Sequence, residues 1–139
     1  MTRFLLDTNV LIALLHLERR RAVLPRLLAQ KAGDVATSTV VAHELYFGAA
    51  KSSRPDENRR RLDLLFQDIE PLPFMREDAE KAGAVRARLR ALGMPIGPYD
   101  VLIAGHALAR GLTLVTANTR EFARVEGLAV ADWEAEPTA

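Results

Sequence analysis

The sequence contains no cysteine. This excludes a disulfide framework, a thiolate zinc site and a cysteine nucleophile, and it agrees with a reducing compartment. No apolar run approaches the ~20 residues needed to cross a bilayer. The N-terminal stretch reaches Asp7 too early for a signal peptide, so the expected location is the cytoplasm. There is no glycine-rich phosphate loop of the P-loop or dinucleotide type, no internal repeat and no low-complexity linker. Lysine is scarce, at positions 31, 51 and 81, whereas arginine runs through 19–21, 59–61, Arg86, Arg88 and Arg90. Guanidinium forks match phosphate better than ammonium groups do. A GC-rich coding bias with solvated helix faces explains the same abundance, and both readings stay open.

The 139 residues are 49% hydrophobic and 27% charged, enough for one domain over 1–139 with a substantial core. Disorder is expected only over 134–139, where small and polar residues collect. The net charge of +1 says little about partners.

Phe4-Leu5-Leu6 reads as a short strand halted by Asp7-Thr8-Asn9, a helix-start signature. Val10, Leu11, Leu14 and Leu15 then recur at helical spacing. A charged helix follows over 18–31, ended by Gly33-Asp34. Residues 35–37 read as a second strand, and Ser38 or Thr39 caps a helix with Val41, Leu45 and Ala49 on one stripe. After a break at 52–55 comes a helix over 56–66. Residues 68–74 are extended, and Pro71 and Pro73 assign them to a sheet edge. A helix from Arg76 to Gly93 and a loop over 94–98 follow. Pro98 opens a helix to Arg110 with Gly111 at its end. Residues 112–116 form a buried strand, a short helix starts near Thr119, and a last strand lies over 128–130. Alternation of this kind implies a parallel sheet covered on both faces.

Open parallel sheets bind ligands outside the carboxyl ends of their strands. The segments that reach that rim carry Asp7, Glu44, Asp100 and, beyond the strand at 112–116, Thr116, Asn118 and Glu121. Asp7 also suits a helix cap, Asp100 a first-turn acid, and Asn118 with Glu121 a capping box. Glu44 has no such alternative. It lies inside its helix beside Val40, Val41, Phe47 and Gly48, where a carboxylate is costly unless an arginine or a hard cation pairs it. Mg²⁺ takes oxygen ligands and keeps several waters, and such a site can hydrolyse a phosphodiester. Asp7 and Asp100 are assigned as direct ligands, and Glu44 as a ligand directly or through water. Thr8 and Thr116 serve either as partners of these acids or as satisfied turn hydroxyls.

Phe4-Leu5-Leu6-Asp7-Thr8-Asn9, His43-Glu44-Leu45-Tyr46-Phe47-Gly48-Ala49, Gly97-Pro98-Tyr99-Asp100 with Ile103-Ala104-Gly105-His106-Ala107, and 114–122 together resemble the PIN domain. More narrowly, they resemble the VapC toxins of bacterial toxin–antitoxin pairs. The resemblance implies a three-layer α/β/α fold with five parallel strands ordered 3-2-1-4-5. It implies Mg²⁺- or Mn²⁺-dependent endoribonuclease activity, homodimers, and inhibition by a cognate VapB antitoxin, which also binds operator DNA. By position, Asp7, Glu44 and Asp100 match the family's three main acids. Asn118 stands where some relatives carry aspartate. Glu121 resembles the acid of a subgroup whose substrate is initiator tRNA, cut in the anticodon loop, so the fourth ligand is open between the two.

His16, His43 and His106 are too scattered for a metal triad, and His43 reads as surface or packing. Ser38 and Thr39 lack a histidine partner for nucleophilic work. Tyr46, Phe47 and Tyr99 read either as a base-stacking surface or, preferably, as core or dimer contacts. Arg3, Arg86 and the arginine runs are candidates for an RNA-gripping rim. A phosphorelay receiver domain also places acids at strand ends, but it needs an acidic pair after the first strand and a lysine after the fifth, both absent here. A housekeeping RNA-processing nuclease and a PIN fold kept only for binding are the remaining alternatives.

Overall fold

A computed structural model describes residues 1–135. Five parallel strands form one sheet in the order β3-β2-β1-β4-β5: β1 Phe4–Leu6, β2 Val35–Ser38, β3 Glu70–Leu72, β4 Thr113–Val115 and β5 Val130–Ala131. Helices flank it: α1 Thr8–Leu15, α2 Leu17–Leu28, α3 Thr39–Ala50, α4 Pro55–Asp68, α5 Arg76–Ala91, α6 Pro98–Arg110 and α7 Thr119–Phe122. The expected α/β/α arrangement and strand order are both present.

The central strands are near-continuous apolar runs because both their faces are covered. Leu5, Leu6, Leu114 and Val115 are fully buried and pack with Leu11, Ile103 and Phe122. Proline-bearing β3 lies at one edge, where a missing amide costs least. Pro98 starts α6, and Gly111 ends it in the left-handed region at φ +66°.

Gly105 performs a different task. A Cβ there would meet the backbone nitrogen of Ala82 at 2.5 Å, so its missing side chain lets α6 lie directly against α5. That contact positions the helix that carries Asp100.

Several boundaries shift by one to three residues from expectation, α4 running to Asp68 and β4 covering only Thr113–Val115 among them. The charged helix ends at Leu28, three residues early. The last strand is Val130–Ala131 rather than 128–130, because pairing with Leu114 and Val115 sets its place. Glu134 and Ala135 are not free: Arg19 binds the Glu134 carboxylate at 3.0 Å and Arg26 donates to the Ala135 carbonyl at 3.1 Å. The remainder of the expected disordered tail, 136–139, lies outside the described residues.

Candidate active site

Parallel register builds the site. Leu6 pairs with Val115 on one side and Thr37 on the other. The next residue along each chain, Asp7 after β1, Thr116 after β4 and Ser38 at the end of β2, therefore emerges at the same carboxyl rim. The Asp7 amide donates to the Val115 carbonyl at 2.9 Å, which carries the pairing one residue further.

A continuous chain of hydrogen bonds links the rim. Asp7 Oδ1 accepts the Thr8 amide at 2.8 Å, so Asp7 does cap α1. The Thr8 hydroxyl donates to Glu44 Oε1 at 3.2 Å. The Thr116 hydroxyl donates to Asp7 Oδ2 at 2.8 Å and accepts the Asn118 amide at 3.0 Å. The Asn118 side-chain amide binds Glu121 Oε2, and Glu121 Oε1 accepts the Gly97 amide at 2.9 Å, three residues before Asp100. Asn9, part of the helix-start motif but not expected as a site residue, joins this chain. Its side-chain nitrogen lies 3.4 Å from both Asp7 Oδ2 and Thr116 Oγ1, and its side-chain Oδ1 accepts the Ala117 amide at 3.2 Å.

The capping box expected at Asn118 and Glu121 does not form, since Asn118 makes no side-chain cap bond. Glu121 turns instead toward Gly97 and the acids. Capping is thus not what holds it.

The electrostatics are those of crowded anions. Burial pushes the Asp7 carboxyl up, opposed by the Thr116 and Thr8 hydrogen bonds. Burial also raises Glu44, against the Thr8 hydroxyl. Asp100 is driven to about 7, first by burial and then by Asp7, Glu121 and Glu44 and by its hydrogen bond with Glu121. Glu121 is lowered, chiefly by the Gly97 amide. Asp100 is thus the hardest of the four to ionise and Glu121 the easiest.

Among the described residues, none of these four carboxylates is ion-paired to lysine or arginine. Nor, among the described residues, do three acidic or histidine side chains stand close enough together to hold an ion as they are placed. An all-oxygen donor set with surplus negative charge fits a hard divalent cation that keeps part of its water shell. It would not suit a metal needing a closed cage.

The other candidates separate clearly. Arg3 leaves the rim: it lies at the opposite end of β1, beside Asp34 at 4.0 Å. Arg86 and Arg90 line a groove of about 400 Å³ with Pro98 and Val101, next to Asp100. Tyr46 packs on Phe66 and donates to Asp63 at 3.0 Å, so it serves the α3–α4 contact. Phe47 and Tyr99 are 61% and 46% exposed, which removes them from the core. The Tyr99 ring meets His43 at 5.0 Å above the cleft. Ser38, expected to have no histidine partner, lies 2.8 Å from His106 Nδ1. The two residues are 68 positions apart, and no local pattern reports such a contact.

Residues 4–128 match the PIN domain. The chain belongs to the PIN-domain family. Within that family it falls among the VapC ribonucleases. It is 39% identical over 133 residues to the tRNA(fMet)-specific endonuclease VapC of Shigella flexneri, covering 96% of this chain and 99% of that one. It is 32% identical over 131 residues to the ribonuclease VapC2 of Rickettsia felis, covering 94% and 98%. A crystal structure of DNA-bound VapBC from Salmonella typhimurium superposes with a TM-score of 0.89 at 35% identity, over 96% of this chain and 99% of that one. PIN nucleases use divalent metal ions, as the donor set of this PIN domain allows.

Proposed function

We propose that this chain is the toxin of a VapBC-type pair, an endoribonuclease whose Mg²⁺ or Mn²⁺ is held by Asp7, Glu44 and Asp100 with Glu121 as the fourth acid. The observation that carries the reading is the mutual electrostatic pressure of these carboxylates, from four separate segments, with no lysine or arginine ion-paired to any of them among the described residues. The relatives' names make tRNA the substrate to test first and initiator tRNA the leading candidate, and the family resemblance of Glu121 makes the anticodon loop the place to look for the cut. A VapB-type antitoxin is the partner, as in the Salmonella typhimurium complex, and DNA binding belongs to the assembly with it. The working form is a cytoplasmic homodimer with 1–139 as one PIN unit. Among the described residues no helix is long and apolar enough to cross a membrane.

When bound, the metal supplies an activated water and neutralises phosphate charge. The chain's own groups do the rest. Thr8 and Thr116 aim the Asp7 carboxylate, Thr8 also orients Glu44, and the Gly97 amide holds Glu121 beside Asp100. Asp100, with Asp7 and Glu44, would hold the metal as an ionised carboxylate.

The test is cleavage of a total tRNA pool with Mg²⁺ or EDTA, beside Asp7→Asn and Glu44→Gln. A discrete cut lost on chelation and in both folded variants is expected. Variants that cut as well as the parent chain refute the site. Absence of any cut, with Mn²⁺ and other RNAs included, favours a binding module.

A further inference from the structure

Beneath the acid cleft lies a second polar group, made of Ser38, Asp78 and His106, all with 0% exposure. Ser38 Oγ accepts the Val40 amide at 3.0 Å as the cap of α3. The same Oγ lies 2.8 Å from His106 Nδ1, a hydrogen bond between two buried side chains. The other ring nitrogen, Nε2, faces Asp78 Oδ2 at 3.5 Å and has no hydrogen-bond partner among the described residues. Asp78 is held by the Met75 amide at 2.7 Å and by Arg110 Nε and Nη2 at 3.1 and 3.0 Å. The Phe74 ring stands edge-on to the imidazole at 5.5 Å.

The serine–histidine–aspartate order is that of a nucleophilic relay, but total burial denies it any substrate. What the group joins is more informative. Ser38 begins the helix that carries Glu44, six residues on, and His106 lies six residues beyond Asp100 on α6. Each spacing is about 9 Å along its helix axis. Among the described residues, the Ser38–His106 contact is the only hydrogen bond between α3, with its cap, and α6.

We propose that the Ser38–His106 hydrogen bond, braced by Asp78, is a positioning element for the metal site, setting the separation of α3 and α6 and hence the gap between Glu44 and Asp100. This rests on the ligand assignment made above. Metal ligands must be placed to within a few tenths of an ångström. A buried hydrogen bond between the two ligand-bearing helices supplies that constraint where loose apolar packing does not. Arg110 holds the Asp78 carboxylate in place against the far side of the ring, and the Phe74 ring stands beside it, so the buried imidazole has little room to leave Ser38.

The test uses the full chain without RNA first. Mn²⁺ affinity is measured by electron paramagnetic resonance for the parent chain, Asp7→Asn, Ser38→Ala, His106→Ala and His106→Asn. Circular dichroism and melting temperature are followed in parallel, then kcat and KM on the cleaved RNA. We expect Ser38→Ala and His106→Ala to weaken Mn²⁺ binding about tenfold and lower kcat, with KM for RNA within twofold. His106→Asn, whose carboxamide oxygen can accept from Ser38, should recover most of the affinity while melting as low as His106→Ala. Folded Ser38→Ala and His106→Ala chains with parental Mn²⁺ affinity overturn the proposal, whatever their melting temperatures, and so does an asparagine variant no better than alanine. If His106→Ala does not fold, Ser38→Ala decides on the same criterion. If parental Mn²⁺ binding is indifferent to Asp7→Asn, the ligand assignment itself falls and this inference with it.

Discussion

Replacing Asp100 by asparagine should stabilise the metal-free protein while abolishing its activity. In the folded chain Asp100 titrates near 7, raised from an ordinary 3.8 by burial and by three neighbouring acids. Between those two values the folded state holds a proton that the unfolded state has released. Stability therefore falls as pH rises from about 4 to about 7, and the penalty is complete above that range. At ~1.4 kcal/mol per tenfold change, the limiting penalty is about 4 kcal/mol. Asp100 is only half-buried and solvent screens the repulsion, so about 1–2 kcal/mol is the working figure. Asparagine cannot ionise, and its amide can still donate to Glu121. For a chain of this size the gain corresponds to a rise in Tm of roughly 3–8 °C. The assay is thermal unfolding of both chains in EDTA at pH 5, 6, 7 and 8. The advantage of the variant should grow across the series and level off at the top. Saturating Mg²⁺ should cancel it by stabilising only the parent chain, by about 2.7 kcal/mol at a hundredfold excess over Kd. An Asp100→Asn chain that melts at or below the parent at pH 8 in EDTA, or by the same margin at every pH, refutes the reasoning.

Gly105→Ala would press a methyl group onto the Ala82 backbone. It should cost about 3 kcal/mol, read as a lower urea midpoint, and the loss should be far smaller if α5 can shift freely. Thr116→Val keeps the shape of a fully buried residue but removes the 2.8 Å bond to Asp7. A loss of about 2 kcal/mol at pH 7.5 without metal is expected, and unchanged stability would show that the Thr116 hydroxyl contributes nothing to holding the rim together. Glu121→Gln keeps the acceptor for the Gly97 amide and deletes the charge. Mn²⁺ binding should weaken severalfold, and parental affinity would remove Glu121 from the ligand set.

The helices and strands were legible because their ends are chemically marked. Asp7 caps, Pro98 opens, Gly111 closes, and the prolines at 71 and 73 push β3 to an edge. Three of the four acids stood out for the same reason: each adjoins such a mark or, like Glu44, sits inside a helix where an unpaired carboxylate needs a cause. The capping box at Asn118 and Glu121 was a local pattern that tertiary contact overrode, because the Gly97 amide offered Glu121 a better partner than its own helix end. For Tyr99 and Phe47 exposure removes only the core reading and leaves a stacking or dimer surface, because apolar character alone does not say which face of a helix is covered.

What the sequence by itself determined is the order of elements, the chain-wise position of each acid and the all-oxygen chemistry they offer. Those depend on interactions within a few residues, whose strength is written in the residue types. Only the tertiary structure decided that Asp7 lies beside Thr116, that Glu121 reaches Gly97, and that Ser38 meets His106. Each of those contacts joins residues brought together by strand register or helix packing. Register is settled by the whole sheet and the core beneath it, and no local pattern carries it.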